Sequence, residues 1–262
     1  MAHNWNPAQY LAFGGHRLRP AIDLLGRVGE IPVPKGEVVD LGCGTGTSTR
    51  ILAARWPQAR VCGVDNSQEM LARADNEPGG GGIRWVRADL NVWRPERPPH
   101  LIFSNAALHW LDDHATLFPH LLSLVAPGGT LAVQMPHNHG AATHTLMTEV
   151  ANAGPWAARL QPFLRPSPVA DPAFYHDVLA QPAATLDLWE TEYLHVLEGV
   201  DAVTEWTKGS ALRPLLEALD EPERSTFEAE YRTRIRQAYP HREDGTTLMP
   251  FRRLFIVATA PD

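Results

Sequence analysis

Gly42, Gly44 and Gly46 stand at alternate positions directly after the apolar run Val38-Val39-Asp40-Leu41, and Asp40, Asp65 and Asp89 close three successive apolar runs. A glycine-spaced turn at the end of a buried strand lets backbone approach a nucleotide closely. The spacing here is G-x-G-x-G, whereas the dinucleotide fingerprint needs glycine at position 47, which is Thr47. That weakens a pyrophosphate reading. A carboxylate at Asp40 suits a ligand bearing an ammonium group. Asp65 lies 19 residues beyond Gly46, close to the separation at which an acid reaches a ribose diol. Asp89 can accept from an adenine amino group. Each acid has a plainer use as a cap on the next helix, but together they suit a cationic nucleoside without phosphate. S-adenosylmethionine has that chemistry, and Asp40, Gly42, Cys43, Gly44, Asp65, Asn66, Asp89, Leu90 and Asn105 are the expected cofactor contacts.

Past the fourth apolar run the chain reads Phe103-Ser104-Asn105-Ala106-Ala107-Leu108-His109-Trp110. Amine methyltransferases commonly place two prolines and an aromatic after the Asn. Ala106-Ala107 do not supply them, which disfavours adenine or amine methylation in nucleic acid. His109 and Trp110 are the expected walls of the acceptor pocket, with core packing the plainer use of Trp110. His137-x-His139 with His144 lacks the H-E-x-x-H and paired C-x-x-C patterns, so no metal is expected.

Alternating apolar runs and helix-period segments must position these residues, and they predict a βα series over a parallel sheet. Strands are predicted at 37–41, 60–64, 83–87, 101–104 and 130–135, with helices over 20–28, 47–55, 68–76 and 115–124. Asp65 and Ser67 are possible caps of the helix at 68–76. Between 155 and 182 prolines at 155, 162, 166, 168, 172 and 182 break any long helix, leaving a lid or an ordinary surface connection. Further on, 185–196 alternates like a strand, 200–239 is mostly helical, and 254–259 is a last apolar strand. The expected division is 1–136 (amino-terminal helices and cofactor half), 137–182 (proline-rich cap) and 183–262 (late strands and helical insert completing the same sheet).

With 262 residues, 44% of them apolar, the chain can bury a large core. A formal charge of −7 with dispersed arginines argues against nucleic acid. No long apolar run or signal-peptide pattern is present, so neither a membrane partner nor export is expected and the chain reads as cytoplasmic. Two cysteines give no disulfide framework.

The chain resembles the trans-aconitate 2-methyltransferase family of class I S-adenosylmethionine-dependent enzymes. The likeness runs through W-N-P-x-x-Y-L (Trp5 to Leu11), R-x-R-P (Arg17 to Pro20), D-L-G-C-G-x-G, N-A-A-L-H-W-L (Asn105 to Leu111), L-F-P-H-L (Leu117 to Leu121), L-A-V-Q-M-P (Leu131 to Pro136), L-R-P (Leu212 to Pro214) and R-L-F-I-V-A (Arg253 to Ala258). Departures gather at His137-Asn138-His139 and in the 155–182 segment. The resemblance implies a Rossmann-like α/β fold, with seven mostly parallel strands, the last antiparallel, and a helical cap or insert. It also implies esterification of a carboxylate on a small polycarboxylic acid. Such an acceptor needs local cations, for which arginine's planar fork is best suited. Arg17, Arg19, Arg213 and Arg253 are the candidates, Arg19 and Arg213 foremost. Competing expectations are another acid or a hydroxyl as acceptor, or a catalytically silent cofactor-binding module.

Overall fold

The computed structural model describes residues 14–32, 36–164 and 166–262, with backbone alone for 14–17. Trp5 to Leu11 and the side chain of Arg17 therefore lie outside the described residues. Two units divide the rest. A sheet unit comprises 15–136, 168–191 and 253–262; a helical unit comprises 137–167 and 192–252.

The sheet unit opens with α1 (Gly14–Leu25), β1 (Glu37–Leu41), α2 (Thr47–Arg55), β2 (Arg60–Asp65), α3 (Gln68–Asn76), β3 (Arg84–Arg87) and β4 (Leu101–Asn105). It continues with a 3₁₀ turn (Leu108–Trp110), α4 (His114–Ser123) and β5 (Thr130–Pro136). The helical unit holds α5 (Ala142–Ala153), α6 (Ala157–Leu160), α8 (Ala202–Lys208), α9 (Arg213–Glu217) and α10 (Glu223–Ala238). α7 (Pro172–Leu179) returns to the sheet unit, while β6 (Thr185–Glu198) and β7 (Thr246–Thr259) contribute residues to both units.

Seven strands lie in the order β3-β2-β1-β4-β5-β7-β6. β1 pairs in parallel with β2 and β4, and β5 pairs antiparallel with β7. Strand order therefore reverses between β1 and β4, and the crevice outside the carboxyl ends at such a reversal is where open α/β sheets take ligands. Runs such as Glu37-Val-Val-Asp-Leu41 form these strands because both faces of a parallel sheet are covered, so near-continuous apolar sequence is buried.

Side chains alternate across the sheet. Val39, Leu41, Ile102, Leu131, Val133, Met135, Leu254 and Ile256 enter one core with Phe118, Leu121 and Leu122 of α4 and Tyr175 and Leu179 of α7. Register sends the opposite parity, Asp40, Phe103, Asn105, Gln134, Arg253 and Phe255, to the other face. The helical unit has its own core, including Met147, Trp156, Trp206, Phe227, Tyr231 and Ile235.

Several elements differ from expectation at their edges. α1 spans Gly14–Leu25 with Pro20 inside it, so that proline does not mark the start. The proline-rich stretch contains α6, a short 3₁₀ turn and α7, with Pro172 at the first position of α7, where its missing N–H costs nothing. β7 begins at Thr246, ahead of the apolar run at 254–259.

Candidate functional site

The glycine loop is built from left-handed backbone: φ is 73° at Gly42, 53° at Gly44 and 75° at Gly46. The N–H groups of Gly42 and Cys43 both donate to the Val64 carbonyl, at 2.8 and 3.1 Å, and Gly46 N–H donates to Cys43 at 2.9 Å. Gly44 N–H donates to Asp65 Oδ2 at 2.8 Å. These amides are thus engaged within the protein, unlike those of a loop that cradles phosphate with unspent donors. A Cβ on Gly42 would fall 2.1 Å from the Ala107 Cβ, whereas one on Gly44 would meet nothing within 4 Å. Gly42 is the seam between the loop and the turn after β4; Gly44 presents the loop's open side.

Asp40 is 1% exposed. Its Oδ2 accepts from Ser48 Oγ at 2.7 Å and Thr49 Oγ1 at 2.6 Å, in the first turn of α2. Oδ1 is buried and has no hydrogen-bond partner among the described residues. Burial pushes its pKa up to about 6, against the pull of the Thr49 and Ser48 hydroxyls, and nearby Asp65 adds to the rise. Asp65 is half-buried, its Oδ1 accepting from Ser67 N–H at 2.9 Å, and Ser67 itself caps α3 by accepting from Met70 N–H at 3.3 Å. Cys43 is buried, and burial raises its thiol pKa, so it stays protonated and packs.

Asn66 and Asp89 are exposed at the ends of β2 and β3. Asp89 Oδ1 accepts from Asn91 N–H at 2.9 Å and Asn91 Nδ2 at 2.8 Å. Half-buried Leu90 comes within 3.6 Å of a Cβ placed on Gly42. At the end of β4, the Asn105 Oδ1 is buried and has no hydrogen-bond partner among the described residues. Ala106, which follows, has φ of 54° and donates its N–H to the Gln134 carbonyl at 2.9 Å. His109 and Trp110 have ring centroids 4.8 Å apart, and Trp110 is 57% exposed, which excludes it from the core.

Asp40, Gly42, Cys43, Gly44, Asp65, Leu90 and Asn105 therefore gather around one loop. Arg19 lies exposed on α1. Arg213 belongs to the helical unit and donates to Glu217 Oε1 at 2.6 Å, one helical turn away. Arg253 is 3% exposed in the sheet unit and donates from Nη1 to Gln134 Oε1 at 3.4 Å. Arginine carries only donors, so this bond orients the amide, and the Gln134 Nε2 is buried with no partner among the described residues. His139 and His144 sit in the helical unit with rings 4.9 Å apart; burial lowers both pKa values, that of His144 to about 4.

Sequence reasoning did not assign Ser48, Thr49, Gln134 or His114 to this region. Their signals were two hydroxyls directly after the glycine turn and one amide inside the apolar run Leu131–Met135. His114, spaced like any helix-start residue, had none.

Comparison with known proteins adds four findings. Residues 38–129 match the family model described as a methyltransferase domain. The chain is 49% identical to trans-aconitate 2-methyltransferase of Azoarcus sp. (strain BH72), over 97% of this chain and 98% of that one. It is 46% identical to the protein of that name in Streptomyces coelicolor, over 100% and 88% respectively. Among solved structures it is similar to phosphoethanolamine N-methyltransferase 2 of Haemonchus contortus in complex with S-adenosyl-L-methionine, with TM-score 0.53, 14% identity, and coverage of 93% of this chain and 53% of that chain.

Proposed function

The chain belongs to the trans-aconitate 2-methyltransferase family, and from that premise we propose that it transfers the methyl group of S-adenosylmethionine to a carboxylate oxygen of trans-aconitate, forming a monomethyl ester. The observation that carries the reading is the loop at 42–46. The amides of Gly42, Cys43, Gly44 and Gly46 are bonded inward, and among the described residues a Cβ on Gly44 meets nothing within 4 Å and the buried Oδ1 atoms of Asp40 and Asn105 hold lone pairs that meet no donor. Acceptors without donors fit the cationic amino-acid end of this cofactor. They do not fit a pyrophosphate.

When bound, S-adenosylmethionine supplies an electrophilic methyl on its sulfonium. An ionised carboxylate would already be a nucleophile without losing a proton, so no side chain would have to act as a base. In this reading Asp65 uses its remaining lone pairs for the ribose diol; a carboxylate has about four such sites, and two are taken by Gly44 and Ser67. Asp89 serves the adenine amino group, and Cys43, Asn66 and Leu90 line the nucleoside. His109 and Trp110 form the acceptor wall. Arg19, Arg213 and Arg253 are each candidates for pairing with a non-reacting carboxylate of the acid. Arg253 is the best supported, because a fixed charge in a buried setting attracts an anion more strongly than one screened by water. The enzyme's main contribution is alignment, worth on the order of 7 to 11 kcal/mol when both reactants are held in attack geometry.

Charge supports a small acid over nucleic acid as partner, and the two free buried cysteines support a cytoplasmic setting. Among the described residues no helix is long and apolar enough to cross a membrane. The deciding experiment supplies methyl-labelled S-adenosylmethionine and a panel of di- and tricarboxylates including trans-aconitate. Labelled methanol released from the product by mild base is expected. A base-stable product would indicate a hydroxyl acceptor, and cofactor binding without turnover on any acid would indicate a silent module.

A further inference from the structure

Ala106 and Asp113, with φ of 54° and 52°, are the two non-glycine residues in the left-handed region among those described. They bracket the turn that carries His109 and Trp110. Asp113 tolerates this backbone as the cap of α4, its Oδ1 accepting from Thr116 N–H at 3.4 Å, whereas Ala106 holds it only where surrounding contacts impose it, and such strain clusters at functional sites. On one side the turn is wedged against the cofactor loop at the Gly42–Ala107 seam.

On the other side it is held by a buried chain of hydrogen bonds. His114 Nε2 lies 3.1 Å from the Leu108 carbonyl, and His114 Nδ1 lies 2.6 Å from the Tyr175 hydroxyl. Ala170 N–H donates to that hydroxyl oxygen at 3.3 Å. A carbonyl can only accept, so Nε2 must carry the proton. In a neutral ring Nδ1 is then a lone pair, and it accepts from the Tyr175 O–H. His114 is 3% exposed and Tyr175 is not exposed at all, and Phe118 packs against both rings with centroids at 5.1 and 4.9 Å. Burial lowers the His114 pKa, against the opposing pull of the Leu108 and Leu111 carbonyls and, less strongly, of Asp112 and Asp113.

We propose that His114 is a positioning residue for the acceptor: through the Leu108 carbonyl, which fixes the proton on Nε2, it holds the His109–Trp110 turn in its shape, and Tyr175 locks that tautomer by donating to Nδ1. The inference rests on the reading of His109 and Trp110 as the acceptor wall. α7, which supplies Tyr175, thereby reaches the site without touching it. Leu108 itself is fully buried, so the carbonyl bond acts on a turn already anchored at its apolar residue and decides only how the next two side chains are presented.

Tyr175→Phe removes one oxygen and tests the relay. Loss of one buried hydrogen bond should raise KM for trans-aconitate about tenfold, while S-adenosylhomocysteine affinity stays within about twofold. Two-bond ¹H–¹⁵N spectra should show His114 as a single Nε2–H tautomer in the parent and a mixed one in the variant. His109→Ala and Trp110→Ala are measured in parallel. If those two raise KM and Tyr175→Phe does not, the relay is wrong and the acceptor wall stands; if those two leave KM unchanged, the wall reading falls and the relay with it. A parallel loss of S-adenosylhomocysteine affinity in Tyr175→Phe would reveal general loosening and overturn the proposal. Should the variant not fold, the parent spectra still decide: an Nδ1–H tautomer or an imidazolium at neutral pH overturns it.

Discussion

At the scale of single residues, Asp40 sets an expectation about pH. Its carboxyl is pushed up to about 6 from 3.8, so the folded protein binds a proton there more tightly than the unfolded chain does. A raised acid pKa contributes stability below the unfolded value that is lost as pH rises through the folded one. Ligand-free protein should therefore lose stability from Asp40 between about pH 4 and 6, by up to roughly 3 kcal/mol, and Asp40→Asn should remove that component from the melting-temperature profile. A cationic ligand favours the ionised form, so S-adenosylmethionine affinity should rise with pH across the same window and binding should release protons near pH 5.5. Titration calorimetry in buffers of different ionisation enthalpy reads this directly, and equal heats in both would remove Asp40 from the cofactor site. Arg253 gives a second residue-scale expectation. Truncating it to Ala should cost about 2 to 4 kcal/mol in kcat/KM on trans-aconitate, with Lys recovering part and cofactor affinity unchanged. If Ala and Lys variants at Arg19, Arg213 and Arg253 all stay within roughly threefold of the parent, less than 1 kcal/mol, the arginine pairing is wrong.

At the scale of elements, the loop between β1 and α2 separates two glycines that look alike in sequence. Gly42→Ala places a methyl 2.1 Å from Ala107 Cβ at φ of 73°. Something must shift, and the melting temperature and cofactor affinity should both fall. Gly44→Ala meets nothing within 4 Å, so it carries only the left-handed strain of about 1 to 2 kcal/mol. That variant should fold and yet bind S-adenosylmethionine poorly, because its methyl group stands on the loop's open side. Normal affinity in folded Gly44→Ala would move the cofactor off this loop. Ser48 and Thr49 give the loop a further tie, since their bonds to Asp40 join the start of α2 to the end of β1.

At the scale of the whole molecule, each of the two units has a hydrophobic core of its own. In the helical unit Tyr231 is fully buried and donates its hydroxyl to the Thr143 carbonyl at 2.9 Å. Tyr231→Phe should lower stability by about 1 to 2 kcal/mol by leaving that carbonyl without its donor. Hydrogen exchange should speed up in α5 and α10 while S-adenosylmethionine affinity stays unchanged. A matching drop in affinity would mean that the cofactor site draws on the helical core.

The sequence alone determined the methyltransferase sheet and the glycine turn after its first strand, because both rest on local rules. Continuous apolar runs become buried parallel strands, α2 and α3 occupy the predicted 47–55 and 68–76, and glycine at 42, 44 and 46 follows from positive φ. Period and turn chemistry act over a few residues, so they can be read without knowing what packs where. Only the tertiary structure decided which polar groups share a face. Asn105 and Gln134 are neighbours across β4 and β5, Gln134 and Arg253 meet across 119 positions of sequence, and His114 meets Tyr175 across 61. Nothing in their spacing says so, because strand order and register bring them together. The same holds for Asp40: its type and place at a strand end were legible, but its raised pKa comes from burial, which belongs to the folded state.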